Sequence, residues 1–335
     1  MRGLLVLVIA LATLWGGYWV VGSMGAQRAA DSWFAAQGEA GIEATYSALD
    51  VQGFPNRFDL TVTDLHLADP VSGFGWDAPF AQVFSMTWKP WHLIAALPNS
   101  QTITTPDGVI SLKTASLKGS LVMVPGKALA LDAVVVEGVD IAAVSTVGWV
   151  LKAARVQIAT RQDASVANGH EVNVTATGFV PDPGLMAAMA GKSDLPAMVE
   201  VAQVDVVAGF SAPIDRFAAE TRPALSALKI KQGLVRWGAM ELTLTGGLVA
   251  DAEGFAEGRV DVKLTNWRKV LAPAVAMGLI TAEVAPTVEN MMALMAQQSG
   301  DAAVLELPLV MKAGRMSLGP LPLGPAPRMI NGPQG

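Results

Sequence analysis

The stretch from Tyr46 to Pro70, YSALDVQGFPNRFDLTVTDLHLADP, constrains the fold more than any other part of the chain. Leu49 and Val51 alternate with polar residues, Gly53-Phe54-Pro55-Asn56 interrupts, and Phe58, Leu60 and Val62 then alternate with Asp59, Thr61 and Thr63. A period of two sends successive side chains to opposite faces, so the pattern predicts two strands joined by a structural turn at Gly53, Phe54 and Pro55. After Val62 the apolar positions change phase to Leu65 and Leu67. A one-residue slip moves every side chain to the other face, so the strand must bulge or bend near Asp64. The expected product is a curved sheet with one apolar and one solvated face.

The same form recurs downstream. Leu117, Leu121 and Met123 alternate with Lys118 and Ser120, a Pro125-Gly126-Lys127 turn intervenes, and Leu129, Leu131, Ala133 and Val135 return. Val156 and Ile158 lead to Asn168-Gly169, whose residues suit a tight turn, and Val172 and Val174 lead away. Leu242, Leu244 and Leu248, the Asp251 to Gly254 turn, and Val260, Val262 and Leu264 repeat the unit. Short strands at this spacing imply a largely antiparallel meander. Two helical pieces interrupt it. Pro183 to Gly191 is short and rich in Ala and Met. Asn266 is expected to cap a helix starting at Trp267, in which Val284, Val288, Met291 and Met295 recur at helical spacing until Ser299-Gly300. Such a stripe ordinarily faces a core, and the sharper alternative is a lid over an apolar groove. Strands resume at Leu305, Leu307, Leu309, Met316 and Leu318, and the Gly/Pro-rich segment from Gly319 reads as an extended tail.

A chain of 335 residues holds one large or two ordinary domains, and 52% hydrophobic against 16% charged residues means that apolar surface is deeply buried or deliberately used. A net charge of −6 with no cluster of Lys and Arg offers no footprint for a nucleic acid backbone. The absence of Cys removes disulfides, thiolate metal sites and thiol nucleophiles, and fits either redox compartment.

The apolar run from Leu4 to Val21 follows Arg2 and spans about 27 Å at ~1.5 Å per residue, close to a ~30 Å hydrocarbon core. The small residues Val21-Gly22-Ser23 also permit a cleaved signal peptide. Trp15, Tyr18 and Trp19 at the distal end favour a retained anchor, because amphipathic rings sit well at a membrane surface. Leu4, Trp15, Trp19 and Val21 accordingly mark a membrane anchor. The expected organisation is an anchor over 1–23, a helical stalk over 24–41, one β-rich envelope domain over 42–318 and a tail over 319–335. With Arg2 inside, this places a single-pass protein in the inner (cytoplasmic) membrane with the bulk of the chain in the periplasm.

Gly73 to Leu97 gathers Trp76, Phe80, Phe84, Trp88 and Trp91 in a chain that is only 6% aromatic. In the ordinary reading these rings fill a core. In the functional reading Trp76, Phe84, Trp88, Lys89 and Trp91 form an apolar or membrane-facing site, with Lys89 toward head groups. The three histidines, His66, His92 and His170, stand far apart in sequence, and Asp59, Asp64, Asp69 and Asp77 sit where turns and strand ends favour Asp. No nucleophile elbow, phosphate loop or dinucleotide fingerprint occurs, and Asn173-Val174-Thr175 is a glycosylation pattern of little weight inside a strand.

Gly53-Phe54-Pro55-Asn56-Arg57-Phe58-Asp59-Leu60, Trp76-Asp77-Ala78-Pro79, Lys89-Pro90-Trp91-His92 and the ending Gly314-Arg315-Met316-Ser317-Leu318-Gly319-Pro320-Leu321-Pro322 resemble the bacterial membrane-anchored family known as domain of unknown function 2125. That resemblance covers nearly the whole chain and implies no reaction. In plan alone, the chain is similar to AsmA-like envelope proteins, whose curved sheets are thought to offer lipids an apolar groove.

The expected fold is therefore mainly β: an N-terminal transmembrane helix, then a curved, twisted antiparallel meander with a few packing helices, forming an open groove or half-barrel. The expected function is non-enzymatic binding or passage of lipid or another long hydrophobic ligand. The alternative is a structural or partner-binding scaffold with an ordinary closed core. No catalytic residue, cofactor or metal is expected, and the partners are membrane lipid and other envelope proteins, not nucleic acid.

Overall fold

A computed structural model describes residues 1–191, 193–298 and 300–329 of the chain. Its strands pair antiparallel throughout, and the single β-rich domain expected over 42–318 divides into two compact units. Unit 1 comprises Met1–Pro125 and Val136–Gly148, and unit 2 comprises Gly126–Val135 and Trp149–Gly335.

Unit 1 begins with helix α1 (Arg2–Glu39). The expected anchor and stalk are one continuous helix, because the Ala-rich Met24 to Gln37 segment propagates the turn with nothing to break it. Gly41, at φ 83°, ends the run. Strands β1 (Glu43–Thr45) and β2 (Ala48–Gln52) lie end to end along β3 (Arg57–Asp69), which pairs with β4 (Phe74–Met86). Strands β5 (Lys89–Leu97) and β6 (Ser100–Thr105) follow one another along β4, and β7 (Gly108–Lys113) and β8 (Ser116–Met123) pair with β6 and β5. The last residues of β9 (Leu131–Ser145) pair with β7.

Unit 1 is thus an antiparallel sheet, as expected of a curved, largely antiparallel meander, in which long strands are matched by broken ones. The breaks fall on one line through Ser47, Asp64, Asn99 and Asp140. Asp64 and Asp140 both adopt left-handed backbone, at φ 50° and 49°. Asp tolerates that conformation better than most residues. The pairing sum is unchanged across Asp64, since Thr63 faces Phe80 and Leu65 faces Ala78. The strand therefore bends without an inserted residue, and Val62 and Leu65 are both buried as the phase change requires. Ser47 Oγ donates to Asp64 Oδ2 at 2.7 Å and ties the bend to the neighbouring strand. The core here is Phe34, Leu49, Val62, Leu65 and Ala78, with Trp76 and Leu67 against it.

In unit 2, strands β10 (Val150–Asp163), β11 (Gly169–Phe179), β12 (Val199–Phe210), β13 (Leu225–Trp237), β14 (Met240–Ala250), β15 (Ala256–Thr265), β16 (Val304–Lys312), β17 (Arg315–Leu318) and β18 (Leu321–Pro325) pair strictly in chain order. Here the meander stands as expected. Bulges interrupt the β12 pairing between Asp205 and Val206 and the β13 pairing between Ile230 and Gly233. Asn168 is left-handed at φ 47° and donates from Nδ2 to Phe210 O at 3.2 Å, but the tight Asn168-Gly169 turn expected is a five-residue connection over 164–168, and Gly169 opens β11.

Among its described residues this unit carries four helices: α2 (Pro183–Met189), α3 (Ala218–Thr221), α4 (Leu271–Ala276) and α5 (Ala285–Gln298), with a 3₁₀ turn at Trp267–Val270. Asp182 caps α2 by accepting from Gly184 N and Leu185 N. Asn266 does not cap as expected. Its backbone is left-handed and its Nδ2 donates to Ala239 O at 2.6 Å, so the side chain is spent on the preceding hairpin. The long helix expected from Trp267 is broken between α4 and α5, where Gly278 turns at φ 72°. The tail expected from Gly319 instead forms β18, and Ala326 is buried against Ala256 and Met311. The Arg328 guanidinium then stacks 4.3 Å over the Phe255 ring. Of two segment ends singled out in the sequence, Ser299 and residues 330–335 lie outside the described residues.

Candidate functional site: apolar sheet faces left half open

Register fixes which side chains share a face. In unit 2 Val156 and Ile158 on β10 stand beside Ala176 and Val174 on β11, then Ala202 and Val204 on β12. Leu242 and Leu244 stand beside Leu264 and Val262, then Leu305 and Leu307. The two ends of this aliphatic face are treated differently. Over β15 and β16 the helices close it, and Trp267, Ala296 and Leu305 are 0–1% exposed. Over β10 to β12 the same face is buried at His170, Val206 and Ala208 but stays half-buried at Val156, Val174, Ala176, Ala202 and Val204, and Ile158 is 42% exposed. The opposite face is charged and paired. Arg161 Nη2 meets Glu171 Oε2 at 2.5 Å, Lys231 holds the other Glu171 oxygen, and Lys263 meets Glu306 at 2.7 Å. Lys231 first and Arg161 second hold the Glu171 carboxyl below the usual range. That face belongs to water.

Unit 1 repeats the theme. Its α1 lies along β1, β2 and β3. Farther across the sheet, Val83 faces Ala95, and Leu93 and Leu97 face Leu121 and Leu117, all half-buried.

The five residues expected to form one aromatic site are not brought together. Trp76 belongs to the core and donates from Nε1 to Gln101 Oε1 at 2.8 Å. Phe84 is on the other face, with the Arg57 guanidinium 5.9 Å from its ring centroid. Trp91 is half-buried, whereas Trp88 is 57% exposed in the β4–β5 turn and Lys89 is exposed beside it at the start of β5. Strand alternation and a turn scatter what the sequence had clustered. The lid stripe is likewise rotated. Val284 precedes α5 and is 49% exposed, Val288 and Met291 are half-buried, and Met292, Ala293, Met295 and Ala296 face the core.

The anchor residues have acquired partners. Trp15 Nε1 donates to Pro55 O at 3.0 Å, Tyr18 Oη to Thr87 O at 2.6 Å and Trp19 Nε1 to Arg57 O at 2.7 Å. Trp19 also meets Phe54 edge-on and lies over Phe58. A Cβ on Gly22 would overlap the Phe58 ring, so the small residue is there for close packing. Leu4 and Val21 are fully on the exposed surface of the helix.

Sequence reading missed one polar pair. His92 and Ser120 lie 3.0 Å apart (Nε2 to Oγ) across β5 and β8, beside a hollow of about 260 Å³ lined by Arg57, Phe84, Met86 and Ile94. Twenty-eight residues separate them, so no local motif could reveal them. The four clustered aspartates have separate partners: Arg57 for Asp59, Ser47 for Asp64, Ser72 for Asp69 and His66 for Asp77. The described residues contain no group of three metal-ligating side chains.

Fold and site together define a mainly β protein with one N-terminal helix long and apolar enough to cross a membrane, and with apolar sheet faces covered only in part. The chain belongs to the family described as an uncharacterized protein conserved in bacteria (DUF2125), whose model matches residues 19–327. No curated protein and no solved structure matches it.

Proposed function

We propose that this is a single-pass protein of the inner membrane, with its sheet units in the periplasm, that holds or passes a long apolar molecule such as a lipid acyl chain without chemical reaction. The supporting observation is the uneven cover of one aliphatic face: helices seal it over β15 and β16 and leave Ile158, Val174 and Val204 half open on the same side. Each methylene moved from water onto such a face gains about 0.8 kcal/mol, so even partial cover of an acyl chain gives useful affinity. A retained α1 fits this reading, because cleavage near Gly22 would remove three donors from the carbonyls of Pro55, Thr87 and Arg57.

Native mass spectrometry of the full chain released from nanodiscs tests the proposal. The expected result is co-released lipid, reduced several-fold in an Ile158→Glu, Val204→Glu variant that stays folded by circular dichroism. Repeatedly empty protein, or lipid retained by the variant at the original level, sinks it. The scaffold reading draws on one observation, that the apolar hollow at Phe84 and Ile94 is only about 260 Å³, a shallow dent suited to a partner's side chain.

A further inference from the structure

We infer that one end of the unit 1 sheet, formed by the Gly53–Asn56 and Thr87–Trp88 turns, is immersed in the outer leaflet beside α1 as a second membrane contact. The inference uses the reading of α1 as a membrane span but makes no use of a bound ligand. It starts from a length. From Leu4, just past the charged Arg2, to Trp15 the helix advances only about 17 Å at ~1.5 Å per residue, against a ~30 Å hydrocarbon core. Yet Trp15 is already hydrogen-bonded to Pro55. With Arg2 at the inner head groups, about 13 Å of core is left to cross alongside the sheet, so the turns enter the membrane with the helix.

The turns are built for that. Backbone carbonyls cannot be left unpaired away from water. Those of Pro55, Arg57 and Thr87 accept from Trp15, Trp19 and Tyr18, while Asn56 O accepts from Thr87 N at 3.0 Å and Gly53 O from Arg57 N at 2.9 Å. The aromatic donors that would otherwise face head-group water are turned onto the sheet. Beside the exposed Asn56, what the turns show outward is apolar: Phe54 is 62% exposed, Trp88 57% and Met86 41%. Cations sit just behind, with Lys89 exposed and the Arg57 side chain 52% exposed, where anionic head groups lie. At the other end of these strands the turns carry Ser72 and Asp107, with Val71 96% and Phe74 56% exposed beside Ser72, and the Trp15, Tyr18 and Trp19 donors are spent on the first end.

The chain has no Cys, so single-site labelling is clean. Full-length Phe54→Cys, Trp88→Cys and, as controls, Ser72→Cys and Asp107→Cys variants are labelled with an environment-sensitive dye in phosphatidylcholine/phosphatidylglycerol vesicles. At positions 54 and 88 the expected result is blue-shifted emission and several-fold stronger quenching by nitroxide-bearing lipid than at 72 and 107, with protection from aqueous iodide. Equal iodide quenching at all four sites overturns the inference. Failure of lipid co-purification with intact quenching at 54 and 88 removes the ligand proposal and leaves this one standing.

Discussion

The two units solve the same problem in different ways. Unit 2 covers its apolar face with helices that arise between neighbouring strands: α2 joins β11 to β12, and the Trp267 turn, α4 and α5 join β15 to β16. Each needs only to fold back on the hairpin it interrupts. Unit 1 has no such insertions among its described residues. It borrows a helix from the start of the chain, and Phe34 of that helix completes a core whose other members come from β2, β3 and β4. Locally supplied cover can seal completely, as the 0% exposure of Trp267 shows, while a borrowed helix covers one strip and leaves Leu93 and Leu121 half open. The strands differ too: those of unit 2 pair in chain order with bulges along β12 and β13, whereas unit 1 is creased at Asp64 and Asp140.

The largest effect that tests this contrast is truncation of the sealed core. Trp267→Ala removes a fully buried indole that donates to Ala302 O at 3.1 Å, and is expected to lower stability by about 3–5 kcal/mol in denaturant unfolding. Trp88→Ala, at an exposed turn, is expected to stay within about 0.5 kcal/mol. Similar losses at both positions would mean that Trp88 is core after all.

Next is the seam between helix and sheet. Gly22→Leu forces atoms into the Phe58 ring and is expected to destabilise unit 1 by about 1–3 kcal/mol, exposing the segment around Ile42 to protease. Gly25→Leu, where a side chain meets nothing within 4 Å, is the matched control and is expected to be silent. If the two behave alike, α1 is not docked on the sheet as described.

The smallest effect is in pH, and the two units carry opposite signs. In unit 1 the Asp77 carboxylate, 2.6 Å from His66 Nδ1, raises the His66 pKa above 6.5, with Glu43 adding to it. The charged ring binds its proton more tightly when folded, so its contribution is complete below pH 6.5 and lost as pH rises through the folded value. In unit 2 burial lowers the His170 pKa, partly offset by Asp132, so the neutral ring is favoured and stability falls as pH drops below 6.5. Because the His66 side chain is 40% exposed, its share is expected to be below about 1 kcal/mol. Melting curves between pH 5 and 8 check both signs: His66→Gln flattens the alkaline side and His170→Gln the acidic side.

Alternation made strands legible around residues 49–67, 117–135, 156–174, 242–264 and 305–318 but not β4 to β7, β12 or β13, and the phase change at Val62 announced the bend at Asp64 without saying that it would be a left-handed residue in place of a bulge. The aromatic run Trp76 to Trp91 was visible, but its division between two faces and a turn depends on pairing, which joins residues such as Ser120 to His92 across a distance that no local pattern spans. Asn266 had the composition of a cap, and a carbonyl on the preceding hairpin took its side chain.

By itself the sequence determined what is local: a membrane-length apolar helix, strands that sort oil from water by a period of two, and turns at Gly, Asn and Asp. Tertiary structure alone decided that the chain divides into two units, that α1 docks through Trp15, Tyr18 and Trp19, and which stretches of the apolar face stay open. Local pattern is written by backbone geometry within a few residues, whereas cover is a competition among distant segments for the same surface, and only their packing settles it.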